Sequence, residues 1–397
     1  MATVLREEAG RFVAGTHRTR PPADTWRLAQ ELFGRCGISR VADVTGLDIL
    51  GIPTWVAVRP LASTLSVSQG KGATHTEAKV SASMEAIELW YAENTPTVDR
   101  GPRAASASSL ALSYDFGGLQ RAARSLLTAD TPLPWVHADV IGEDRTTLVP
   151  EASVAISSLA SPQWSPPLLR VSSNGLASGN CADEAALHAL FELVERDSTA
   201  DLGQRPVQVR DYIDPATVDD AICAALIERI RESGAWLELV DNTRDPHFPC
   251  YVSYVWSPED PSIYSGSGCH SKPEVALSRA ITEAAQSRLT VINGTRDDVR
   301  GSLYRSHRWD TTAPVTPAGR IRSWQEATDG IDRVAFGTPR EQLLFTAELV
   351  TRRTGQQVLR VPLSAPDEAL AVVRVIAPGL RFSAGDECPR PVHPNGS

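Results

Sequence analysis

Side chains that could act together in catalysis occur as three pairs, each with a spacing of three residues. The pairs are Glu85 with Glu88, Glu192 with Glu195, and Glu283 with Gln286. Residues three apart project from one side of a helix. The surrounding sequences, VSASMEAIELW, AALHALFELV and VALSRAITEAA, are small and apolar on most sides, which is typical of buried helices. One such pair would more often lie on an exposed helix, but three copies favour a shared buried site.

The chemistry of such a site follows from the repulsion between carboxylates. Several carboxylates in a dry interior become protonated unless a multivalent cation compensates them. Ligand sets made only of oxygen favour magnesium or calcium over zinc, and magnesium is often completed by substrate phosphates. Basic candidates for phosphate contact lie beside the motifs: Lys71, Arg196, Arg288 and Arg296. The sequence therefore predicts a magnesium–nucleotide site, although no GxxxxGK[ST] motif is present.

The elements that position the three pairs also repeat. Each pair follows a glycine-containing loop and a polar helix cap, and it lies eleven or twelve residues beyond that cap. The loops are Gly70-Lys-Gly72, Gly175 to Gly179, and Gly266-Ser-Gly268; the caps are Thr74 with Glu77, Asn180 with Asp183, and Ser271 with Glu274. Lys71 then stands at a helix entrance, where free N–H groups attract anions, although a surface lysine is the simpler alternative.

The remaining pattern indicates an α/β protein without an obvious linker. Alternating, β-branched segments predict strands, and segments ending at glycine predict helices. Predicted strands cover 52–59, 64–69, 168–173, 207–212, 236–240, 250–256, 262–269, 357–363 and 372–376. Further helices are predicted near 25–36, 216–233 and 340–354, and 156–167 is predicted to be an exposed loop.

Composition narrows the class of protein. The 397 residues are 42% hydrophobic, and the net charge of −9 argues against a general nucleic-acid-binding surface. The six cysteines are scattered, which suggests reduced core thiols rather than a zinc site or a disulfide framework. The N-terminus is unlike a signal peptide, and no apolar run approaches the roughly 20 residues of a membrane span. We therefore expect a soluble cytoplasmic protein.

In their order along the chain, these motifs resemble those of the YcaO family. The resemblance extends from about Gly15 to the C-terminus. It includes Ser68-Gln-Gly-Lys-Gly72, Ser81-x-x-x-Glu85-x-x-Glu88, Ser173-Asn-Gly-Leu-Ala177, Glu192-Leu-Val-Glu195-Arg196-Asp197, Glu283-x-x-Gln286-x-Arg288, Arg296-Asp-Asp298 and the closing segment Val372 to Leu380.

The resemblance implies a single YcaO-type domain over 1–397, with a core at about 60–380, an N-terminal segment 1–59 and a proline-containing tail 381–397. It implies three related glycine-loop/ExxE-type helices around a nucleotide site, ATP and Mg²⁺ as cofactors, and often a homodimer. Such enzymes phosphorylate a backbone amide oxygen of a ribosomal precursor peptide. The implied metal or nucleotide ligands are Glu85, Glu88, Glu192, Glu195, Glu283 and Gln286; the implied nucleotide or phosphate contacts are Lys71, Ser81, Arg196 and Arg296, with Arg18 joining from the N-terminal arm. Arg196 and Arg296 are also the implied catalytic residues, which stabilise developing charge.

Several positions depart from the family pattern. Leu89 follows the first ExxE where arginine is common, and Arg381 follows Pro378-Gly379-Leu380 where glutamate is common. The tail from Pro389 to Ser397 is an irregular version of the PxPxP ending that many heterocycle-forming members carry. This irregularity argues against a catalytic role for the tail.

The motifs concern the binding of ATP and the activation of the amide oxygen, so they do not identify the nucleophile. A Cys, Ser or Thr side chain would give an azoline, an amine would give a macroamidine, and external sulfide would give a thioamide. No leader-binding domain is evident, so the protein is expected to act alone or with a leader-binding or TfuA-like partner. A non-catalytic scaffold that binds nucleotide or peptide is an alternative of another class, and a metal-dependent hydrolase is another enzyme alternative, although no His or Asp cluster supports it.

Overall fold

The computed structural model describes residues 17–156, 167–296, 298–299, 312–316 and 319–383. Its α-helices are α1 (Pro22–Cys36), α2 (His75–Asn94), α3 (Ala182–Thr199), α4 (Ala221–Glu232), α5 (Pro273–Asn293), α6 (Trp324–Thr328) and α7 (Pro339–Thr354). Its strands are β1 (Arg40–Asp43), β2 (Thr54–Val58), β3 (Val67–Lys71), β4 (Trp135–Val140), β5 (Thr146–Pro150), β6 (Leu176–Gly179), β7 (Asp211–Ile213), β8 (Trp236–Asp241), β9 (Cys250–Ser257), β10 (Asp260–Cys269), β11 (Arg320–Arg322), β12 (Leu359–Pro362) and β13 (Ala371–Ile376).

Within these described ranges the strands form three sheets, ordered β1-β2-β3, β5-β4-β12-β13-β6 and β10-β9-β8-β7-β11. Neighbouring strands are antiparallel except for β11, which runs parallel to β7. The strands β3, β6 and β10 each form one edge of their sheet. Each of these edge strands leads directly into a helix that carries one of the predicted pairs. The α/β prediction is therefore confirmed, and the three repeated motifs correspond to three strand–helix units: β3–α2, β6–α3 and β10–α5.

Glycine allows each edge strand to lie close to its own helix. A Cβ atom on Gly70 would lie 1.9 Å from the backbone nitrogen of Ala82 in α2. A Cβ atom on Gly268 would lie 2.1 Å from the carbonyl oxygen of Ala276 in α5. Any larger residue would push strand and helix apart. The glycine loops therefore set the packing distance within the units.

The helix starts differ from unit to unit. Helix α2 begins with the predicted capping box of Thr74 and Glu77. The other two predicted caps are wrong. The N-cap of α3 is Cys181, without a side-chain cap, because Asn180 donates to Glu184 instead. The N-cap of α5 is Lys272, and Ser271 accepts a hydrogen bond from Gln342.

Most of the predicted strands and helices are present, often with shifted ends. The strand predicted at 168–173 is wrong, since β6 begins after Gly175, whose φ of 79° turns the chain. The strand predicted at 207–212 is shorter, because a 3-10 turn occupies Val207–Val209. Strands β1, β4, β5 and β11 and the short helix α6 were not predicted. Most of the loop predicted at 156–167 lies outside the described residues.

The larger hydrophobic clusters lie against the units. One joins α1 and α2 to β4 and β12, a second joins α4 and α5 to β8 and β9, and a third joins α3 and α7 to β13. Four of the five cysteines in the described ranges are buried, and all five are free thiols there. In the same part of the chain, no helix has the length and apolar character needed to cross a bilayer.

Candidate nucleotide site

The three units surround one cavity of about 940 Å³. All of the predicted site residues except Arg288 line it: Arg18, Lys71, Ser81, Glu85, Glu88, Glu192, Glu195, Arg196, Glu283, Gln286 and Arg296. They come from α2, α3 and α5, from the end of β3, and from the segments that precede α1 and follow α5. The tertiary structure therefore brings together residues that are more than two hundred positions apart in the chain.

The α2 pair faces two different edge strands. Glu85 accepts a hydrogen bond from the backbone N–H of Gln69 in β3, at 3.3 Å. Glu88 reaches β6, where its Oε1 atom accepts from both the backbone N–H (2.8 Å) and the hydroxyl (2.5 Å) of Ser178. Helix α2 thus connects its own strand with the strand of the next unit.

In the α3 pair, Glu195 contacts the edge strand of the next unit. Glu195 reaches β10, where it accepts from the Ser267 hydroxyl at 2.6 Å and from the Cys269 N–H at 3.1 Å. Arg196 lies 3.7 Å from Glu195 and 4.0 Å from Glu192. Glu192 remains partly accessible from the cavity, with a side-chain exposure of 24%.

The α5 pair meets β3. Lys71, the last residue of β3, forms an ion pair with Glu283. The amide of Gln286 donates a hydrogen bond to the backbone carbonyl of Gln69. Lys71 therefore has a carboxylate partner on another unit, which makes it part of the site rather than an isolated surface lysine.

Burial sets the charge state of this cluster. Desolvation raises the pKa of Glu88 to about 8 and that of Glu192 to about 7, and nearby glutamates add to both shifts. Desolvation also raises the pKa of Glu85 and Glu195. Burial opposes ionisation of Glu283 as well, but Lys71 and Arg196 outweigh it and lower its pKa. Burial thus disfavours the ionised form on balance for four of these five carboxylates.

Of the arginines predicted to contact phosphate, Arg296 lines the cavity and Arg288 does not. Arg296 lines the cavity near Glu85, and its guanidinium also binds Asp298 at 2.6 and 2.9 Å. Arg288 was predicted as a phosphate partner, and this prediction is wrong. Its side chain is buried on the far side of α5 with Asp48, at 2.9 Å, and is absent from the cavity lining. The helical period explains the error, because two positions after Gln286 the helix has turned away.

Some cavity residues were missed in the sequence. Glu184 binds Thr19 and Asn180 and forms an ion pair with Arg18 at 3.3 Å, so it anchors the N-terminal arm to α3. Arg279, one turn before Glu283, donates to Nδ1 of His188 at 3.1 Å, and burial lowers its pKa to about 10. Their spacing of one or two turns before the acidic pairs was the available signal.

The donor chemistry of the cavity suits magnesium bound to a nucleotide. The acidic pairs offer oxygen ligands, and burial raises the pKa of four of their carboxylates, so a bound cation would stabilise the ionised forms. Within the described residues, no three His, Cys, Asp or Glu side chains already form a metal-ligand cluster. A metal held here would therefore need further oxygen ligands, and the phosphates of a nucleotide can supply them.

A comparison with models of protein families identifies the family of this chain. The model of the family described as YcaO cyclodehydratase, ATP- and Mg²⁺-binding, matches residues 69–381. This chain belongs to the YcaO family. The resemblance noted in the sequence is confirmed, and ATP and Mg²⁺ are the cofactors of this family.

Relatives and solved structures agree with this assignment. An uncharacterized protein of Mycobacterium tuberculosis is 37% identical over 389 residues, covering 95% of this chain and 85% of the relative. A Rhizobium leguminosarum bv. trifolii protein, named for its position in the tfuA 3′ region, is 35% identical over 382 residues, covering 90% and 87%.

Two solved structures share the fold. A heterocyclase in complex with substrate and cofactor has a TM-score of 0.72 and 20% identity; the match covers 96% of this chain and 55% of that one. YcaO from Methanopyrus kandleri, bound with AMPPCP and Mg²⁺, has a TM-score of 0.69 and 22% identity, with 98% and 100% covered. The predicted YcaO-type fold is therefore confirmed.

Proposed function

We propose that this protein uses Mg-ATP to activate a backbone amide of a ribosomally made precursor peptide for attack by a nucleophile. The observation that carries the proposal is the single cavity in which the three acidic or amide pairs meet Lys71, Arg196 and Arg296. Amide oxygen is a poor leaving group, and ATP supplies the phosphoryl group that makes it a good one. The family assignment and the nucleotide-bound relative from Methanopyrus kandleri support this choice.

The charges of the cavity residues indicate a separate role for the acidic and for the basic side chains. Glu85, Glu88, Glu192, Glu195 and Glu283 are the proposed oxygen ligands toward magnesium, with Gln286 beside them. Arg196 and Arg296 are the proposed catalytic cations, because each lies among cavity carboxylates and can stabilise charge that develops on phosphate oxygens. Lys71 and Ser81 are proposed to contact the nucleotide, and Arg18 to join them beside Glu184.

Cyclodehydration to an azoline is the first proposed outcome, because a heterocyclase solved with its substrate has this fold. A macroamidine would arise from the same activation with an amine as the nucleophile. Thioamide formation is the second candidate, since the Rhizobium relative is named for the tfuA 3′ region. In that case external sulfide is the nucleophile, and a TfuA-like protein is the proposed partner. We propose a homodimer of single-domain chains as the working form.

The proposal is tested by incubating the protein with Mg-ATP and a candidate precursor peptide encoded nearby, with and without sulfide and a TfuA-like protein. Mass spectrometry should show loss of one water for an azoline or amidine, or exchange of oxygen for sulfur for a thioamide. Acid hydrolysis and fragmentation separate the first two products. Phosphate release should require the peptide. Magnesium-dependent hydrolysis that proceeds without ATP would contradict the proposal.

Glu192→Ala is the matching variant. It removes a carboxylate whose partner within the described residues is Arg196, so the fold should persist while peptide modification is lost. Full ATP-dependent activity of this variant would exclude Glu192 from the metal site. Glu348→Ala is its control, because Glu348 pairs with Arg352 on the exposed face of α7 and should leave activity unchanged.

A further inference from the structure

One side of the cavity is apolar, although much of the remaining lining is charged. It is formed by Leu65, in the loop before β3, by Leu89 in α2, and by Leu176, the first residue of β6. We call these three side chains the leucine wall. Val80 and Met84 continue it along α2 toward the start of that helix. All five side chains belong to the hydrophobic cluster that joins α1 and α2 to β4 and β12, so the wall is an extension of the core.

The leucine wall lies beside the first acidic pair. Leu89 directly follows Glu88 in α2. Leu176 comes two residues before Ser178, whose backbone N–H and hydroxyl both donate to Glu88. Alternate residues of a strand project from the same face, so the side chains of Leu176 and Ser178 point the same way, about 7 Å apart. A group held against the wall is therefore close to the carboxylate of Glu88.

Leu65 is the most accessible member of the wall. It is partly buried, whereas Leu89 and Leu176 are 5% and 4% exposed. The backbone N–H of the preceding residue, Thr64, donates to Glu93 at 3.1 Å, which places Leu65 beside the last turns of α2. Leu65 is thus the wall residue that can be changed with the least disturbance of the core.

The opposite end of the cavity, near the start of α3, is polar. Arg18, Asn180, Glu184 and His188 line it, and Glu184 binds both Asn180 and Arg18. Ribose hydroxyls and a base need hydrogen-bond partners, which these side chains can supply and leucine methyl groups cannot. With phosphates at the acidic pairs, the polar end suits the nucleoside of ATP. The leucine wall is then left for the second substrate, the peptide.

We propose that the leucine wall determines peptide specificity by binding an apolar side chain within about two residues of the activated amide, since about 7 Å is the length of two extended residues. An apolar side chain gains from burial there, whereas a polar one loses its hydration without a partner. Leu89 adds to this selection, because the family resemblance leads us to expect arginine at that position. The inference rests on the proposed function for its substrate and leaves the roles proposed for the acidic pairs unchanged.

A double-mutant cycle between Leu65 and a peptide tests the contact. The blocked pentapeptides Ala-Ala-Leu-Cys-Ala and Ala-Ala-Asn-Cys-Ala are titrated by calorimetry into the wild type and into Leu65→Asn, with Mg-AMPPCP present. The wild type should bind the leucine peptide about tenfold more tightly than the asparagine peptide. Leu65→Asn should reduce this preference to about twofold, because the two substitutions remove the same contact. Asparagine is uncharged, so the field of the acidic pairs is unchanged.

Leu61→Asn is the matched control, because Leu61 lies in the same loop but is 98% exposed. It should keep the tenfold preference. The melting temperature and the AMPPCP affinity of Leu65→Asn, measured without peptide, should match those of the wild type. If that variant does not fold, Leu65→Ala replaces it and should lower the preference to about threefold. Equal binding of the two peptides by the wild type, no binding of either, or an equal loss for both in Leu65→Asn would overturn the proposal.

Steady-state kinetics separates this inference from the proposed function. With Mg-ATP and a precursor peptide that the wild type modifies, Leu65→Asn should raise KM about tenfold and leave kcat nearly unchanged, because the wall binds the ground state and the transition state alike. A fall in kcat at constant KM would refute this role. If the wild type preferred the leucine peptide but modified no peptide, the proposed function would fail and the wall would stand. If it modified peptides regardless of the neighbouring side chain, the wall would fail and the function would stand.

Discussion

Glu192→Gln tests the electrostatics of the cavity because the pKa of Glu192 is raised from 4.5 to about 7. The folded protein therefore holds a proton at pH values where the unfolded chain has released it. This difference stabilises the fold below about pH 4.5, and the contribution is lost as the pH rises through about 7. Glutamine remains neutral throughout, so the variant should avoid that loss.

The magnitude follows from the shift of the pKa. At about 1.4 kcal/mol per pH unit, a rise from 4.5 to about 7 corresponds to roughly 3 kcal/mol. In EDTA, Glu192→Gln should unfold with a free energy up to about 3 kcal/mol higher than the wild type at pH 8, and with nearly the same value at pH 4.5. Saturating Mg²⁺ with ATP should reverse the order, since the wild-type carboxylate then gains a counter-charge.

Urea denaturation followed by circular dichroism at pH 4.5, 6 and 8 measures the difference. Glu283→Gln is the control with the opposite sign, because Lys71 and Arg196 lower the pKa of Glu283 despite its burial. The fold favours the ionised form of Glu283, so its replacement should destabilise the protein at pH 8. A pH-independent effect of Glu192→Gln, or stabilisation by Glu283→Gln, would refute this account of the cavity charge.

Three further predictions concern stability and are measured by thermal or urea unfolding. Gly70→Ala should destabilise the protein by about 3 kcal/mol or more, because its Cβ would overlap the α2 backbone. Gly203→Ala is the control, because no atom lies within 4 Å of the added Cβ, and it should change stability by less than about 0.5 kcal/mol. Equal effects of the two substitutions would contradict the packing argument. Asp197→Ala should destabilise the protein by about 3–5 kcal/mol, since this buried carboxylate pairs with Arg353 at 2.6 Å and accepts from the Arg381 N–H at 2.8 Å. An unchanged stability would mean that Asp197 does not hold the C-terminal segment in place. Thr74→Ala should cost about 1 kcal/mol by removing the cap of α2, and Thr74→Ser should retain most of that stability.

The position of Asp197 also bears on one departure from the family pattern. The family resemblance leads us to expect glutamate at position 381, and the backbone N–H of Arg381 donates to Asp197. Its guanidinium lies 3.8 Å from the same carboxylate. The segment after Leu380 is thus attached to α3, directly behind the Glu192–Arg196 motif. The proline-containing tail itself lies outside the described residues.

Local sequence determined much of the secondary structure. Alternating apolar residues specified β8 and β9, and Gly294 and Gly355 specified the ends of α5 and α7, because a left-handed residue ends a helix irrespective of tertiary contacts. The repeated glycine loops and pairs specified three related units. Strands β1, β4, β5 and β11 were missed. The cap of α3 was misassigned because the Asn180 side chain donates to Glu184 and accepts from the Thr25 hydroxyl, and the second of these is a tertiary contact.

The sequence also identified most of the residues that line the cavity, since residue type and spacing indicate groups that suit Mg-ATP. Only the tertiary structure decided how those groups meet. Helical spacing places Arg288 on a different face from Gln286, but it could not show that Arg288 pairs with Asp48 there. It also could not show that Glu88, Glu195 and Gln286 each reach the strand of another unit. These contacts join residues distant in the chain, so they depend on sheet order and helix packing rather than on any local pattern.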